Sequence, residues 1–393
     1  FTAKLAEAFI KGFTVDDVLL NFDDCDSKNF TARTGKYGYV SEEYDITTED
    51  GYILRLFRIK SNDKCKDNMK NVPVLLLPGA QTNGMSFTEL GPKSSIAYGL
   101  SDLCYDVWIG NFRGTRFSRK HITLSPKDPK FWEFSLDEYA KYDTTAFMDK
   151  ILDTTDSDIV NIIGYSEGGA TYLALASSNK EYHDKIGVGI TLEPSAYMYF
   201  GRNIIMKFIA NDYEGIYKML SGMTQAANLE DKDTPDNVFN FKCPKKILAG
   251  SLCRFVLEII KAGSPAARAK CVLDNAPEPM TLRTIKRYAQ HMKNKVFQMI
   301  DLGAAENKEK YGDSKPPNYD VSKIKHPVAI VYGRRETIVT KDNLVILKNK
   351  LGNVLIFKEV EEPSWGHPDF IVSDKINTKI IPILKEALDP YSD

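Results

Sequence analysis

Residues 158–169, DIVNIIGYSEGG, decide how the rest of this 393-residue chain is interpreted. The segment begins with an apolar run typical of a buried strand, and a helix-like stretch, GGATYLALASS, overlaps its end. Between them lies Gly164-Tyr165-Ser166-Glu167-Gly168. A G-x-S-x-G turn between strand and helix predicts a nucleophile elbow, in which a strained Ser166 exposes its Oγ at a helix N-terminus. The alternative is an ordinary turn serine.

Further strand patterns lie on both sides of this elbow. Alternating polar and apolar residues around Glu49-Asp50-Gly51 predict a β-hairpin. Continuous apolar runs predict buried strands within VPVLLLPG (72–79), YDVWIGNFRG (105–114), HPVAIVYG (326–333) and NVLIFKEV (353–360). Helix-like stretches separate these runs. The alternation predicts an α/β fold with a mostly parallel, doubly wound sheet.

The strand signal fades between residues 193 and 316, where Met, Phe and Tyr recur at helical spacing. We expect this segment to form a helical cap inserted into a core of residues 37–192 and 317–393. Residues 1–36 would be an N-terminal extension. The alternative is that the aromatic stripes of residues 193–316 are ordinary helix-packing faces.

Composition excludes several classes of protein. The chain has 52 Lys and Arg against 53 Asp and Glu, so its formal charge of −1 argues against nucleic acid as a partner. Its apolar runs are too short to span a bilayer. The six cysteines and five histidines show no spacing typical of a zinc site, and no cofactor is expected.

Two features of the sequence bear on the location of the protein. A chain that begins with Phe1 is expected to have lost a signal or pro-segment. The sequon Asn29-Phe30-Thr31 makes Asn29 a predicted glycosylation site, which favours secretion.

A serine nucleophile needs a base, and His367 is the histidine best placed for it. It follows the predicted strand NVLIFKEV, in the loop EEPSWGHPDF, at the edge of the sheet where the C-terminal ends of the strands lie. The other four histidines precede the elbow, follow its helix, lie in the cap or begin a strand: His121, His183, His291 and His326.

The acid of the site is predicted to be Glu336, the first carboxylate after the strand HPVAIVYG. A glutamate can orient an imidazole as an aspartate does, with one more methylene to immobilise. Arg334 and Arg335 are potential competitors for this carboxylate, and Asp342 and Asp369 are alternative acids.

An oxyanion hole is expected from the N–H of Glu167 and the N–H of Ala80, in the loop after the strand VPVLLLPG. Pro78 provides no N–H, but the proposed donor lies two residues later. A plain turn at Pro78-Gly79 is the alternative.

With these residues in place, the chain resembles the acid lipases typified by gastric lipase and lysosomal acid lipase, which have many insect relatives. The resemblance runs from about Tyr37 to the C-terminus. It rests on the segments GYVSEEYDITTEDGYILRLFRI, YDVWIGNFRGTRFSRKH, FWEFSLDEYAKYD, GYSEGG, YGDSKPPNYDVSKIKHPVAIVYG and HPDF. It implies an α/β-hydrolase core with a helical cap, and serine-dependent hydrolysis of triacylglycerols, sterol esters or related esters at a lipid–water interface. The family's nucleophile, acid and histidine fall on Ser166, Glu336 and His367.

Three departures from the family pattern lie at the site. Pro78-Gly79 replaces His-Gly, Glu336 stands where the family has aspartate, and Glu167 stands where glutamine is usual. They keep open a second hypothesis, a lipase-fold storage or lipid-carrying protein with weak or no activity, as insect yolk proteins of lipase ancestry are. The expected location is extracellular, with a lysosome-like compartment or a yolk granule as alternatives.

The resemblance also implies a disulfide in the cap, because Cys243 and Cys253 match its position in the family to within one residue. Cys25 is left with Cys65 or Cys271 as possible partners, and Cys104 is expected to be a buried free thiol.

Overall fold

The computed structural model describes residues 29–61, 65, 69–200, 238–239 and 278–392 of the chain. Within these ranges, no helix combines the length and the apolar character that a membrane span requires.

One large sheet dominates the described residues, with strand order β1-β2-β4-β3-β6-β7-β10-β11, and β5 pairs with β2. The pairs β1–β2, β2–β4 and β2–β5 are antiparallel, and the remaining pairs of this sheet are parallel. The strands β8 and β9 form a separate two-stranded sheet. The strands are β1 Val40–Thr47, β2 Tyr52–Ser61, β3 Val74–Leu77, β4 Val107–Gly110, β5 Lys120–His121, β6 Val160–Tyr165, β7 Ile186–Leu192, β8 Val238–Phe239, β9 Met280–Thr281, β10 Val328–Tyr332 and β11 Val354–Glu359.

Helices connect most of the parallel strands. In the described residues they are α1 Phe30–Lys36, α2 Ile96–Ser101, α3 Leu136–Glu138, α4 Thr144–Thr155, α5 Glu167–Ser178, α6 Lys180–His183, α7 Leu282–Asn294, α8 Ala304–Tyr311, α9 Lys341–Lys350, α10 Asp369–Val372, α11 Ile376–Lys379 and α12 Ile381–Leu388. Short 3₁₀ turns at Gly84–Phe87, Pro129–Trp132, Val321–Lys323 and Asp389–Tyr391, and a π turn at Tyr139–Asp143, complete the set.

The central strands are buried on both faces, as their continuous apolar runs predict. In β3, Leu75 and Leu77 belong to one apolar core while Val74 and Leu76 belong to the other. All four side chains are fully buried. Successive side chains of a strand point to opposite faces, so the two cores lie on the two sides of the sheet.

The predicted hairpin is present as β1 and β2. Gly51 has a φ of +93°, which a residue with a side chain rarely adopts, and its N–H donates to the carbonyl of Thr48. Asp50, in the same turn, pairs with the buried Arg113, which also contacts the fully buried Asp143 at 2.6 Å. The hairpin turn is thereby tied to the segment that follows β4.

The strand β7 lacks the apolar run by which the other central strands were predicted, because Gly187 and Gly189 interrupt it. Both glycines are required by packing. A Cβ on Gly187 would lie 2.5 Å from the amide oxygen of Asn161, and one on Gly189 would lie 1.8 Å from the hydroxyl of Tyr172. The strand is therefore formed by its neighbours in the sheet rather than by its own propensity.

The prediction for Cys104 is wrong: it forms a disulfide with Cys65, 39 positions earlier. This bond also removes Cys65 as a partner for Cys25. It joins the segment after β2 to the segment between α2 and β4, two parts of the chain that the sequence pattern does not relate. The expected Cys243–Cys253 link lies outside the described residues, as do Cys25 and Cys271.

We expect the Cys65–Cys104 bond to stabilise the fold by restricting the unfolded chain. Replacing both cysteines by alanine should lower the free energy of unfolding by about 4 kcal/mol, the chain-entropy value for a loop of this size. Urea unfolding of the variant, compared with the parent before and after reduction, measures the change. Rapid alkylation of both thiols in the native, unreduced protein would contradict the bond.

Candidate active site

Ser166 lies in a tight turn between β6 and α5 with a φ of 51° and a ψ of −109°. Two glycines make this turn possible. A Cβ on Gly164 would lie 2.5 Å from the main-chain nitrogen of Gly169, and one on Gly168 would lie 2.2 Å from the carbonyl oxygen of Leu77. Such contacts exclude any side chain, which explains the G-x-S-x-G pattern in physical terms. The strained serine stands at the N-terminus of a 12-residue helix.

The structure brings the three predicted residues together. The Oγ of Ser166 lies 2.8 Å from Nε2 of His367, and Nδ1 of His367 lies 2.9 Å from Oε2 of Glu336. With the proton on Nδ1, His367 donates to the carboxylate and its Nε2 accepts from the serine hydroxyl. This chain of hydrogen bonds is the arrangement that a nucleophile, a base and an orienting acid require.

The loop that carries His367 is fixed on several sides. The hydroxyl of Tyr165 donates to the carbonyl of His367 at 3.0 Å. Asp369, which the sequence left as an alternative acid, accepts from the N–H of Gly366 at 2.7 Å instead. The N–H of Arg335 donates to the carbonyl of Trp365, which joins this loop to the one after β10.

Glu336 is immobilised by its own main chain. Its Oε1 accepts from the N–H groups of Ile338 and Val339, which leaves Oε2 for His367. These bonds restrict the extra methylene of a glutamate at an acid position. The expected competition from arginine is absent for Arg334, which is exposed and pairs with Glu359 at 2.7 Å.

A second carboxyl, which the sequence analysis missed, contacts the same imidazole nitrogen. Glu193 follows β7 and is fully buried, and its Oε2 lies 2.8 Å from Nδ1 of His367. Its Oε1 accepts from the N–H of Gly333 at 2.6 Å. The rule that identified Glu336, the first carboxylate after a parallel strand, would have found Glu193 if β7 had been predicted.

The protonation of these three groups is coupled. Burial raises the pKa of Glu193 well above its usual range, and the nearby Glu336 carboxylate raises it further. Burial also opposes ionisation of Glu336, but the charge of His367 and hydrogen bonds from Glu193 and His367 lower the pKa of Glu336 to about 2. Burial opposes charge on His367, yet the Glu336 carboxylate and the hydrogen bond with Glu193 raise the pKa of His367 above its usual range. One ionised carboxylate thus faces the imidazole, beside one neutral carboxyl.

The other histidines hold structural hydrogen bonds. Their partners are Asp50 O for His121 (2.9 Å), Lys325 N for His183 (3.0 Å), Gln298 O for His291 (2.8 Å) and the Tyr172 hydroxyl for His326 (2.7 Å).

The predicted oxyanion loop lies against the serine. A Cβ on Gly79 would stand 3.3 Å from Cβ of Ser166, so the main chain just before Ala80 passes directly over the elbow. Glu167 is the first residue of α5, where helical N–H groups lack intrahelical acceptors.

The side chain of Glu167 turns to a cation. Its Oε1 lies 2.7 Å from Nη2 of Arg287 on α7, and both side chains are buried. Burial raises the pKa of Glu167, and the Arg287 guanidinium opposes that shift. The unfavourable charge that a glutamate would bring to an oxyanion hole is therefore balanced by an arginine from the segment expected to be the cap.

An apolar cluster lies beside this loop. Met198, Tyr288 and Met292 pack together, and Ala80 packs against them. The cluster joins the predicted oxyanion loop to α7 and gives this side of the site an apolar surface.

The ligand atoms of Glu193, Glu336 and His367 all lie within 4.8 Å of one another, a spacing that could hold a metal ion. The imidazole nitrogen on that side is Nδ1, which donates to Glu336. A cation there would displace the Nδ1 proton and separate the imidazole from its acid, so the donor set suits a hydrogen-bonded triad better.

Comparison with known proteins gives consistent matches. Residues 30–87 match the partial α/β-hydrolase lipase region, and residues 72–233 match the α/β hydrolase fold. Mouse lipase member N is 31% identical over 89% of this chain and 88% of its own. Human gastric triacylglycerol lipase is 30% identical over 87% and 86%, and Drosophila melanogaster Lipase 1 is 29% identical over 86% and 74%.

Solved structures support the fold. A hydrolase from Pseudomonas aeruginosa, 12% identical, aligns with a TM-score of 0.50 over 88% of this chain and 98% of its own. DcsB in complex with a substrate analogue, 14% identical, aligns with a TM-score of 0.54 over 90% and 100%. The chain has the α/β-hydrolase fold.

The buried Glu167–Arg287 pair leads to a stability prediction. Arg287→Met should lower the free energy of unfolding by about 3–5 kcal/mol, because it leaves a buried carboxylate without its cation. Adding Glu167→Gln should restore part of the loss. Urea unfolding of the two single variants and the double variant measures the coupling. Arg283→Met, on the same helix but partly exposed, is the control and should cost about 1 kcal/mol or less. Strictly additive losses would contradict the pair.

The coupled carboxyls lead to a prediction for stability against pH. Glu193 stays protonated in the folded state above the pH at which an unfolded glutamate ionises, so its contribution to stability falls as pH rises. The pKa of His367 is also raised on folding, so its contribution is complete only below about pH 6.5, the pKa of an unfolded histidine. Stability should therefore fall as pH rises from 7 to 9, by about 1.4 kcal/mol per pH unit for each proton bound only in the folded state. Glu193→Gln should flatten this slope in urea unfolding, whereas the exposed Glu361→Gln should not. Equal slopes for all three proteins would contradict the assignment.

Proposed function

The chain belongs to the acid lipase family of α/β hydrolases, and on this premise we propose that it hydrolyses carboxylic esters of lipids through an acyl-enzyme on Ser166. The observation that carries the proposal is the continuous hydrogen-bond chain from the strained Ser166 through His367 to Glu336, at 2.8 and 2.9 Å.

Acylation follows from this geometry. The Oγ of Ser166 attacks the ester carbonyl carbon while its proton passes to Nε2 of His367. The resulting imidazolium is stabilised by the Glu336 carboxylate on its other side. His367 then returns the proton to the leaving alcohol, and the acyl group stays on Ser166. A water molecule repeats the sequence, with His367 as its base, and releases the fatty acid.

The tetrahedral intermediate carries a negative oxygen that needs hydrogen-bond donors. We assign this role to the N–H groups of Ala80 and Glu167. The proximity of Gly79 to Ser166 and the position of Glu167 at a helix N-terminus support the assignment. The Glu167–Arg287 pair keeps the carboxylate side chain of Glu167 out of this position.

The substrate class proposed is a triacylglycerol or sterol ester presented at a lipid–water interface. The apolar cluster of Met198, Tyr288 and Met292 beside Ala80 supports an acyl chain on that side. These three residues belong to the segment 193–316 that we propose as the cap. A triacylglycerol substrate is also stated in the name of the human and rodent gastric relatives.

Storage or lipid carriage without catalysis is the second candidate, favoured by Pro78 in the oxyanion loop. A storage or lipid-carrying protein, however, would not need a serine with a positive φ. It would also not need a glutamate held by two main-chain N–H groups in front of an imidazole. The strain at Ser166 is maintained only because its surroundings enforce it, which supports a reacting serine.

A secretory location is proposed on two observations. Cys65 and Cys104 form a disulfide, which persists in oxidising compartments. Asn29 is exposed at the N-cap of α1 and stays a predicted glycosylation site.

Ser166→Ala should abolish hydrolysis, with kcat reduced by at least about 10⁴-fold, because the variant lacks the nucleophile but keeps the fold. The measurement uses emulsified triolein, cholesteryl oleate and p-nitrophenyl acetate in parallel, together with labelling by a fluorophosphonate. Turnover of the emulsified esters above that of the acetate would support the lipid class.

Ser178→Ala is the matched control, since Ser178 ends the same helix and is exposed. It should keep full labelling and turnover. A parent protein that neither labels nor turns over any of the three esters would favour storage or carriage, and undiminished hydrolysis by Ser166→Ala would remove the nucleophile assignment.

A further inference from the structure

Two carboxyl groups converge on one nitrogen of one histidine. The Oε2 of Glu193 and the Oε2 of Glu336 lie 2.8 and 2.9 Å from Nδ1 of His367. The two glutamates follow neighbouring parallel strands, β7 and β10, so the sheet itself places them side by side. The Nδ1 atom carries a single hydrogen, and only Glu336 meets it in hydrogen-bond geometry.

The two carboxyls are not equivalent. Glu336 accepts two main-chain N–H groups in addition to Nδ1–H, and three such donors favour the ionised form. Glu193 accepts one N–H, from Gly333, and is fully buried. Two carboxylates in contact inside a protein cannot both be charged without a large cost, so they share one proton. That proton belongs on Glu193, which can donate it in a hydrogen bond to Glu336.

The position of Glu193 is held at a cost. Its φ is +50°, a conformation uncommon for residues other than glycine, and its N–H donates to the carbonyl of Val331 at 3.0 Å. An apolar side chain at the end of β7 would avoid burying a carboxyl. Backbone strain combined with a buried acid at the histidine points to a role in the site rather than in the core.

We propose that Glu193 is a second, neutral acid of the catalytic site, which positions the Glu336 carboxylate in front of His367 and replaces it when Glu336 cannot ionise. This inference rests on the proposed function of Ser166 and His367. No further reactant is needed, because the exchange moves one proton from the Glu193 carboxyl to Glu336 and leaves the Glu193 carboxylate facing Nδ1–H.

The shared proton has a consequence for the base. With Glu193 neutral, the site holds one negative charge, which the imidazolium formed during acylation neutralises. If both carboxylates were ionised, they would raise the pKa of His367 further, and more of the protein would hold an imidazolium whose Nε2 cannot accept the proton of Ser166. Among the described residues near this cluster, Tyr165 donates to the carbonyl of His367 and Asp369 accepts from the N–H of Gly366.

The test compares the parent with Glu193→Gln, Glu336→Gln and the double variant, by kcat/KM on p-nitrophenyl butyrate and by the rate of fluorophosphonate labelling. We expect Glu336→Gln to lose about 10- to 100-fold, because Glu193 takes over as the acid. The double variant should lose about 10⁴-fold, the value for a triad without its acid. Glu193→Gln alone should lose less than tenfold, since its amide still donates to Glu336. The exposed Glu361→Gln is the control for loss of a glutamate.

The dependence of the Glu193 effect on the Glu336 background is the decisive result. If Glu193 had only a structural role, Glu193→Gln would lower kcat/KM by the same factor in the parent and in the Glu336→Gln variant. That outcome would overturn the proposal. So would a 10⁴-fold loss from Glu336→Gln alone.

A second measurement does not depend on turnover. The proton NMR spectrum of the parent should show a low-field Nδ1–H resonance of His367, absent in His367→Gln, that persists in Glu336→Gln and disappears in the double variant. Disappearance in Glu336→Gln alone would refute a second acceptor even if a Glu193 variant failed to fold. If the parent is not labelled at Ser166 but the resonance follows this pattern, the proposed hydrolysis fails while the positioning role of Glu193 stands.

Discussion

The close approach of main chains at Gly164 and Gly168 is the constraint on which the rest of the site depends. At Gly168 the helix that follows the serine touches the carbonyl end of β3, and at Gly164 the turn folds back on itself with no room for a Cβ. Ser166 is thereby forced into a strained conformation, and its N–H is held by the carbonyl of Leu192 at the end of β7. The serine is thus fixed to the ends of both neighbouring strands, β3 and β7.

Two of the three departures from the family pattern, Glu336 and Glu167, are compensated by contacts around them. The longer side chain of Glu336 is clamped by the N–H groups of the turn that follows it, so its extra methylene does not loosen the acid. The charge of Glu167 is matched by Arg287, and that arginine comes from a helix more than one hundred residues away in the chain. A residue-by-residue comparison with the family would count these positions as losses, whereas the contacts around them show compensation.

Much of the fold and of the site follows from the sequence because the signals are local. Apolar runs predicted the central strands, and the glycines around Ser166 predicted the elbow. The strand β7 was missed because Gly187 and Gly189 interrupt its apolar run. Both positions are glycine because a Cβ there would collide with Asn161 or Tyr172. Glu193 was missed with it. The Cys65–Cys104 bond could not be predicted, because cysteine pairing depends on three-dimensional proximity and not on spacing.

The same disulfide changes how far apart two strands are along the covalent chain. Ile59 of β2 pairs with Val107 of β4, and 48 residue steps separate them through the main chain. Through the sulfur bridge the path is six steps from Ile59 to Cys65 and three from Cys104 to Val107. The strand β3 and the loop over Ser166 lie inside the ring that this bridge closes. In an oxidised chain, the β2–β4 pairing is therefore nearly as local as a hairpin, and an early-closing contact of this kind shortens the search for the centre of the sheet.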